Sequence, residues 1–146
     1  FSVADAVAVL RHLGIARAHV VGLSMGAFAA VLFGIRHPEM ASAIVAAGVG
    51  SGSPRAEQAA FRAQCREKGD ALIARGWAGA QAEETGNSPT RIQLRKKDPR
   101  GWAAYMERLA QHSGPGTGLT MKHYQGERDS ILDWEAELRR LAVPTL

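Results

Sequence analysis

Cysteine is nearly absent from this chain: Cys65 is the only one in 146 residues. No intrachain disulfide can form, and a reducing compartment, the cytoplasm, is the expected location. Long apolar runs are missing too. No segment has the length of a membrane-spanning helix, and no membrane partner is expected. Charge of one sign is also scarce, since 18 Lys and Arg against 14 Asp and Glu leave a net +4. That excess is too small to point to nucleic acid. The densest basic stretch, Arg91, Arg95, Lys96, Lys97 and Arg100, reads as a solvated helix face. His, Cys, Asp and Glu nowhere gather at ligand spacing, so no metal is implied. Gly48-Val49-Gly50-Ser51-Gly52 imitates a dinucleotide loop, but the fingerprint needs glycine where Ser53 stands, and no cofactor is implied. An initiating methionine is absent. Phe1-Ser2-Val3 enters a helical pattern at once and Leu146 ends as a strand begins, so an internal piece of a longer protein is expected.

What the chain does have is a globular composition, 46% hydrophobic and 22% charged, and enough length for one sizeable core. Its most informative stretch is Val20-Val21-Gly22-Leu23-Ser24-Met25-Gly26-Ala27. Ala18 to Val21 is an apolar run of buried-strand length, and Ala27 to Phe33 is apolar on every side, as in a buried helix. Between them lies a very tight turn with Ser24 at its tip. A serine is a poor nucleophile unless it is lifted clear of its neighbours and given a base, and a strand-to-helix turn does the lifting. Gly22 and Gly26 flank it at minus two and plus two, where a Cβ is expected to clash. The N–H groups at the start of the following helix stabilise charge that develops at the serine.

The surroundings of this turn are legible in order. Val3, Ala6, Val7, Leu10 and Leu13 fall at helical spacing, closed by Gly14. The helix behind Ser24 must stop near His37, before Pro38. Ala43 to Ala47 is the next strand, making a strand-helix-strand unit in a parallel sheet. The chain then leaves through Gly48 to Gly52, with Ser53 and Pro54 starting a helix. Strand signals vanish up to about Gln125. Helices are expected over Pro54–Lys68, Asp70–Glu84, Pro89–Lys97 and Pro99–His112, with Ser113 to Gly118 as a linker and Leu119–Gln125 as a last short helix. Ser130 with Asp133 is a capping-box variant that opens Ile131–Leu141, and Ala142 to Leu146 begins a strand.

The turn at Ser24, the lead-in from Leu13 to Gly22, and Leu141 with Val143-Pro144-Thr145-Leu146 together resemble the α/β-hydrolase family. The resemblance implies an α/β-hydrolase fold in three parts. A core over 1–50 carries the nucleophile elbow, a helical cap or lid over 51–128 walls the substrate pocket, and 129–146 returns to the core. It implies Ser24 as nucleophile and the Met25 backbone N–H as one oxyanion donor. Gly22 and Gly26 shape the elbow. In the family the triad runs nucleophile, acid, histidine, so the acid and histidine are expected beyond Leu146 and a second oxyanion donor before Phe1.

His12, His19, His37, His112 and His123 do not sit where the family places its base. Asp129 and Asp133 read as helix-start residues, and Gly48 to Gly52 supplies no carboxylate after the strand. Phe61, Trp77, Trp102, Tyr105 and Trp134 are read as aromatics of the lid that pack in its core, and Cys65 as a small buried hydrophobe. The resemblance implies a serine hydrolase acting on a small-molecule ester, lactone or thioester, nearest to esterase-like members such as enol-lactonases. Ser24 argues against relatives with an aspartate nucleophile. An acyltransferase, a cofactor-free haloperoxidase-like enzyme and a non-catalytic ligand-binding homologue stay open.

Overall fold

The computed structural model describes residues 2–77, 84–89 and 91–146. The chain divides into two compact units, Phe1–Gln58 with Asp129–Leu146, and Ala59–Arg128. The expected helices over Asp70–Glu84 and Pro89–Lys97 fall partly on 78–83 and 90, outside the described residues.

The first unit is built on parallel strands. Helix α1 (Ser2–His12) buries Val3 and Val7. Gly14, at φ 67°, closes it, and the Ile15 N–H returns to the Leu10 carbonyl at 2.8 Å. Strand β1 (Ala18–Leu23), helix α2 (Met25–Arg36) and strand β2 (Ala41–Ala47) follow, and β1 pairs with β2 in parallel from Ala18↔Ala41 to Leu23↔Ala47. Residues 143–146 add a bridge on the far edge of β2, where the Ile44 N–H donates to the Pro144 carbonyl and the Leu146 N–H to the Ile44 carbonyl. Phe33 and Ile44 are fully buried in the core with Val3, Val7, Met40, Ala41 and Val143. Each of these side chains other than Ala41 contributes about 1.5–3 kcal/mol. A Cβ on Gly34 would run into the Ile44 side chain, so this glycine lets α2 lie close on β2. The strand β1 is less buried than expected. Val21 and Leu23 are 73% and 74% exposed because β1 is paired along one edge and no described residue covers their face.

A buried serine pair closes this unit. Ser130 donates its hydroxyl to the Ser53 carbonyl at 2.7 Å and accepts the Leu132 N–H at 3.1 Å, while the Ile131 N–H donates to the Ser53 hydroxyl at 3.4 Å. The capping box forms as the spacing predicts, with the Ser130 N–H donating to the Asp133 carboxylate. It opens a 3₁₀ turn, Ile131–Trp134, and a short helix, Glu135–Leu138. Ser130→Ala should therefore cost about 1–3 kcal/mol, since the buried Ser53 carbonyl and the partly buried Leu132 N–H both lose their bond. A lowered urea midpoint with an unchanged slope checks this, and an unchanged midpoint contradicts it.

The second unit is helical among its described residues. Helix α3 (Arg55–Arg75), whose residues from Ala59 onward lie in this unit, is followed by α4 (Ile92–Lys97), α5 (Pro99–Ala110) and α6 (Gly114–Leu119), with a π turn over Thr120–Gln125. Leu72, Trp77 and Leu109 form its core, and the Trp77 indole N–H is satisfied by the Thr117 hydroxyl at 3.2 Å.

Three expectations need correction here. Gly69 does not break α3, because a Cβ there would meet the Lys122 side chain and stand 2.7 Å from the Gly118 carbonyl oxygen. Its bareness serves helix packing. Residues 113–118 are no linker: Ser113 accepts the Gly116 N–H at 3.0 Å and caps α6, whose Gly114 and Gly118 pack on the backbone of Gly76 and Gly69. Trp134 belongs to the first unit, where it meets Phe28 edge-to-face at 6.4 Å.

Candidate active site

The turn between β1 and α2 holds Ser24 at φ 53°, ψ −111°, the one positive-φ residue other than glycine among those described. A side chain held there stores about 1–3 kcal/mol of strain and persists only where neighbours fix it. Two bonds do so. The Ser24 N–H donates to the Ala47 carbonyl at the end of β2 at 2.8 Å, and the Ala27 N–H donates to the Ser24 carbonyl at 3.0 Å. Buried Ala27 and Phe28 anchor the first turn of α2 below it. The Ser24 side chain is exposed and does not cap its own helix. Among the described residues its hydroxyl has no hydrogen-bond partner, which leaves it available to a substrate and a base.

Gly22 and Gly26 serve the turn unequally. A Cβ on Gly22 would overlap the Gly26 carbonyl group and stand 2.7 Å from the Ala27 nitrogen, so strand and helix meet there with no room for a side chain. A Cβ on Gly26 would meet nothing within 4 Å, and its φ is not left-handed. The clash expected at both positions therefore exists at Gly22 alone, because the close approach is between the Gly22 Cα and the Gly26 carbonyl. Met25 is the first residue of α2, where a backbone N–H has no partner within the helix. Next to Ser24, the loop after β2 turns through Gly48, Gly50 and Gly52 at φ 65°, 129° and 69°, conformations that glycine adopts readily. The Ala47 carbonyl, which pins the Ser24 backbone, was not singled out from the sequence. Its role depends on the register of β1 against β2, which no local pattern signals.

The structure pairs no described histidine with Ser24. His37 lies 3.6 Å from Glu39 and meets the Phe33 ring, tilted by 53°, at 5.7 Å, and His12 and His19 are exposed. In the second unit, His112 meets Trp77 edge-to-face and His123 shares a hydrogen bond with Glu127 at 3.2 Å. Cys65 is buried, and that burial pushes its thiol pKa up despite nearby Arg128, so it is a packing residue and not a nucleophile.

The sequence model of the alpha/beta hydrolase family matches residues 1–145. This chain belongs to the alpha/beta hydrolase family. As a family member it aligns over 98% of its length with a hydrolase from Pseudomonas aeruginosa, at TM-score 0.77 and 19% identity, covering 50% of that structure. It aligns equally far with a carboxylesterase structure from Nitrososphaera gargenis, at TM-score 0.71 and 19% identity, again covering 50%. At these identities the likeness shows the fold. A 2-hydroxy-6-oxononadienedioate/2-hydroxy-6-oxononatrienedioate hydrolase of Burkholderia vietnamiensis is 50% identical over 46 residues, 32% of this chain and 16% of that protein. The chain spans about half the length of the solved relatives. No helix among the described residues is long and apolar enough to cross a membrane.

Proposed function

We propose that the full-length protein is a serine hydrolase that cleaves a carboxylic ester, lactone or thioester through an acyl-enzyme on Ser24. The observation that carries this reading is the exposed Ser24 hydroxyl on a strained φ of 53°, held between Ala47 and Ala27. Strain of this kind clusters at active sites, where it is part of the mechanism. The relatives named above are hydrolases, which agrees with it.

In this reading the Ser24 Oγ attacks the substrate carbonyl carbon as a general base takes its proton. Negative charge moves to the carbonyl oxygen, and the Met25 N–H donates to that oxyanion. The tetrahedral intermediate collapses, the base returns the proton to the departing alcohol or thiol, and the acyl group stays on Ser24. Water, deprotonated by the same base, then attacks the acyl carbon and frees Ser24. The base and its orienting carboxylate come later in chain order than Ser24. A carboxylic ester with a slowly hydrolysed acyl group, quenched in acid during turnover, should leave its acyl mass on the peptide that holds Ser24. An acyl group found on another peptide, or ester cleavage that leaves no acylated peptide, overturns the proposal.

A further inference from the structure

We infer that Trp134 is a positioning residue for Ser24, acting through the ring of Phe28 on the first turn of α2. This rests on the reading of Ser24 as nucleophile. Trp134, Phe28 and the residues that hold them all belong to the first unit.

Phe28 is the fourth residue of α2, one turn beyond Ser24. A helical side chain leans toward the N-terminus and covers the turn before its own Cα. The Phe28 side chain therefore backs the turn that begins at Met25. Phe28 is 3% exposed, yet among the described residues it stands outside the core that gathers Phe33 and Ile44. Other neighbours must hold it. One is Trp134, whose indole meets the Phe28 ring edge-to-face, with 6.4 Å between centroids and 73° between planes. Such a pair fixes orientation as well as burying area, because the ring quadrupoles favour that geometry.

The indole is itself fastened. Trp134 closes the 3₁₀ turn Ile131–Trp134, which the Ser130–Asp133 capping box opens. Ser130 is anchored on the Ser53 carbonyl at 2.7 Å, and Asp133 pairs with Arg55 at 3.1 Å. Ser53 and Arg55 follow the glycine loop that leaves β2, and β2 ends in Ala47, whose carbonyl accepts the Ser24 N–H. The turn at Ser24 is thus braced by β2 at its backbone and by Trp134 behind Phe28. A residue at φ 53° needs such bracing, since a loosened turn relaxes toward ordinary backbone and changes where the hydroxyl points. Attack on a carbonyl is steep in geometry, and a misplacement of about 1 Å costs about a hundredfold. A tryptophan that only filled space would alter stability and leave the kcat of the folded enzyme alone.

The test measures kcat and KM of the full-length protein on p-nitrophenyl butyrate, and the rate at which a fluorophosphonate labels Ser24. Trp134→Ala removes the brace and should lower kcat and the labelling rate about ten- to a hundredfold, with KM within about twofold. Trp134→Phe keeps an aromatic ring against Phe28 and should stay within about threefold of the unaltered protein. Trp134→Leu keeps apolar bulk without the ring and should lose about three- to tenfold, and it replaces the alanine variant if that protein does not fold. A far-UV spectrum matching the unaltered protein shows that a variant is folded. A folded alanine or leucine variant whose kcat and labelling rate stay within about twofold overturns the inference. So does a raised KM at unchanged kcat, which would make Trp134 a substrate contact. A phenylalanine variant as slow as the alanine one also overturns it, because the contact with Phe28 would then not be what the indole supplies. Failure of the fluorophosphonate to label Ser24 in the unaltered protein rejects the serine-hydrolase reading instead. Intact labelling that no Trp134 variant slows rejects this inference alone.

Discussion

Replacing Ser24 with alanine in the full-length protein should abolish fluorophosphonate labelling and lower ester turnover by about four to six powers of ten. The loss is large because no neighbouring side chain can stand in for the hydroxyl: it is exposed, caps nothing and has no hydrogen-bond partner among the described residues. For the same reason the change should barely alter the fold. Alanine keeps the Cβ, so φ 53° remains as costly as before, and the bonds from Ala27 and to Ala47 use backbone atoms alone. Ser24→Gly separates strain from chemistry. It removes the same hydroxyl but accepts a positive φ freely, so it should unfold later than Ser24→Ala by about 1 kcal/mol or more while being equally inactive. Labelling that survives Ser24→Ala would remove Ser24 from the mechanism. Equal stabilities of the alanine and glycine variants would show that the turn is not strained.

The strand-to-helix turn at Ser24 was legible because its causes are local. An apolar run, two glycines around a serine and Pro38 as a helix stop lie within some twenty residues, and each acts on its own neighbours. The family resemblance built on the same residues holds over residues 1–145. What the sequence did not disclose has causes far along the chain. Gly-Pro-Gly-Thr-Gly reads as a linker by propensity, yet Gly114 and Gly118 are helical because their bare faces let α6 lie on the backbone of Gly76 and Gly69. Gly69 looks like a helix break for the same reason and is its counterpart in that contact. Trp134 sits four residues after Ser130, and only its contact with Phe28 shows which unit it serves. The role of Ala47 needed a strand register, and the asymmetry between Gly22 and Gly26 needed the distance between two backbones. The acid and base that resemblance assigns to the triad have no local signal around Ser24, since such partners are neighbours in space and not in sequence.

The two glycines of the elbow give the second large effect, and they should differ sharply. Gly22→Ala places a methyl group against the Gly26 carbonyl and the Ala27 nitrogen, both backbone atoms of the first turn of α2. A flexible side chain could swing aside, but a helix turn yields only by moving the helix. Moving α2 away from β1 opens the contacts of buried Ala27 and Phe28. Overpacking by one methyl costs about 1–3 kcal/mol where neighbours can relax, and here they cannot, so a loss at or above the top of that range is expected. Gly22→Val adds two more carbons and should consume most of a typical domain stability of about 5–15 kcal/mol. Gly26→Ala, by contrast, extends into open space from a helical backbone, where alanine exceeds glycine by up to about 1 kcal/mol. Its urea midpoint should match or exceed that of the unaltered protein, while that of Gly22→Ala falls well below it. A Gly22→Ala protein with an unchanged midpoint, or a Gly26→Ala protein less stable than Gly22→Ala, would mean that β1 and α2 do not meet at the Gly22 Cα.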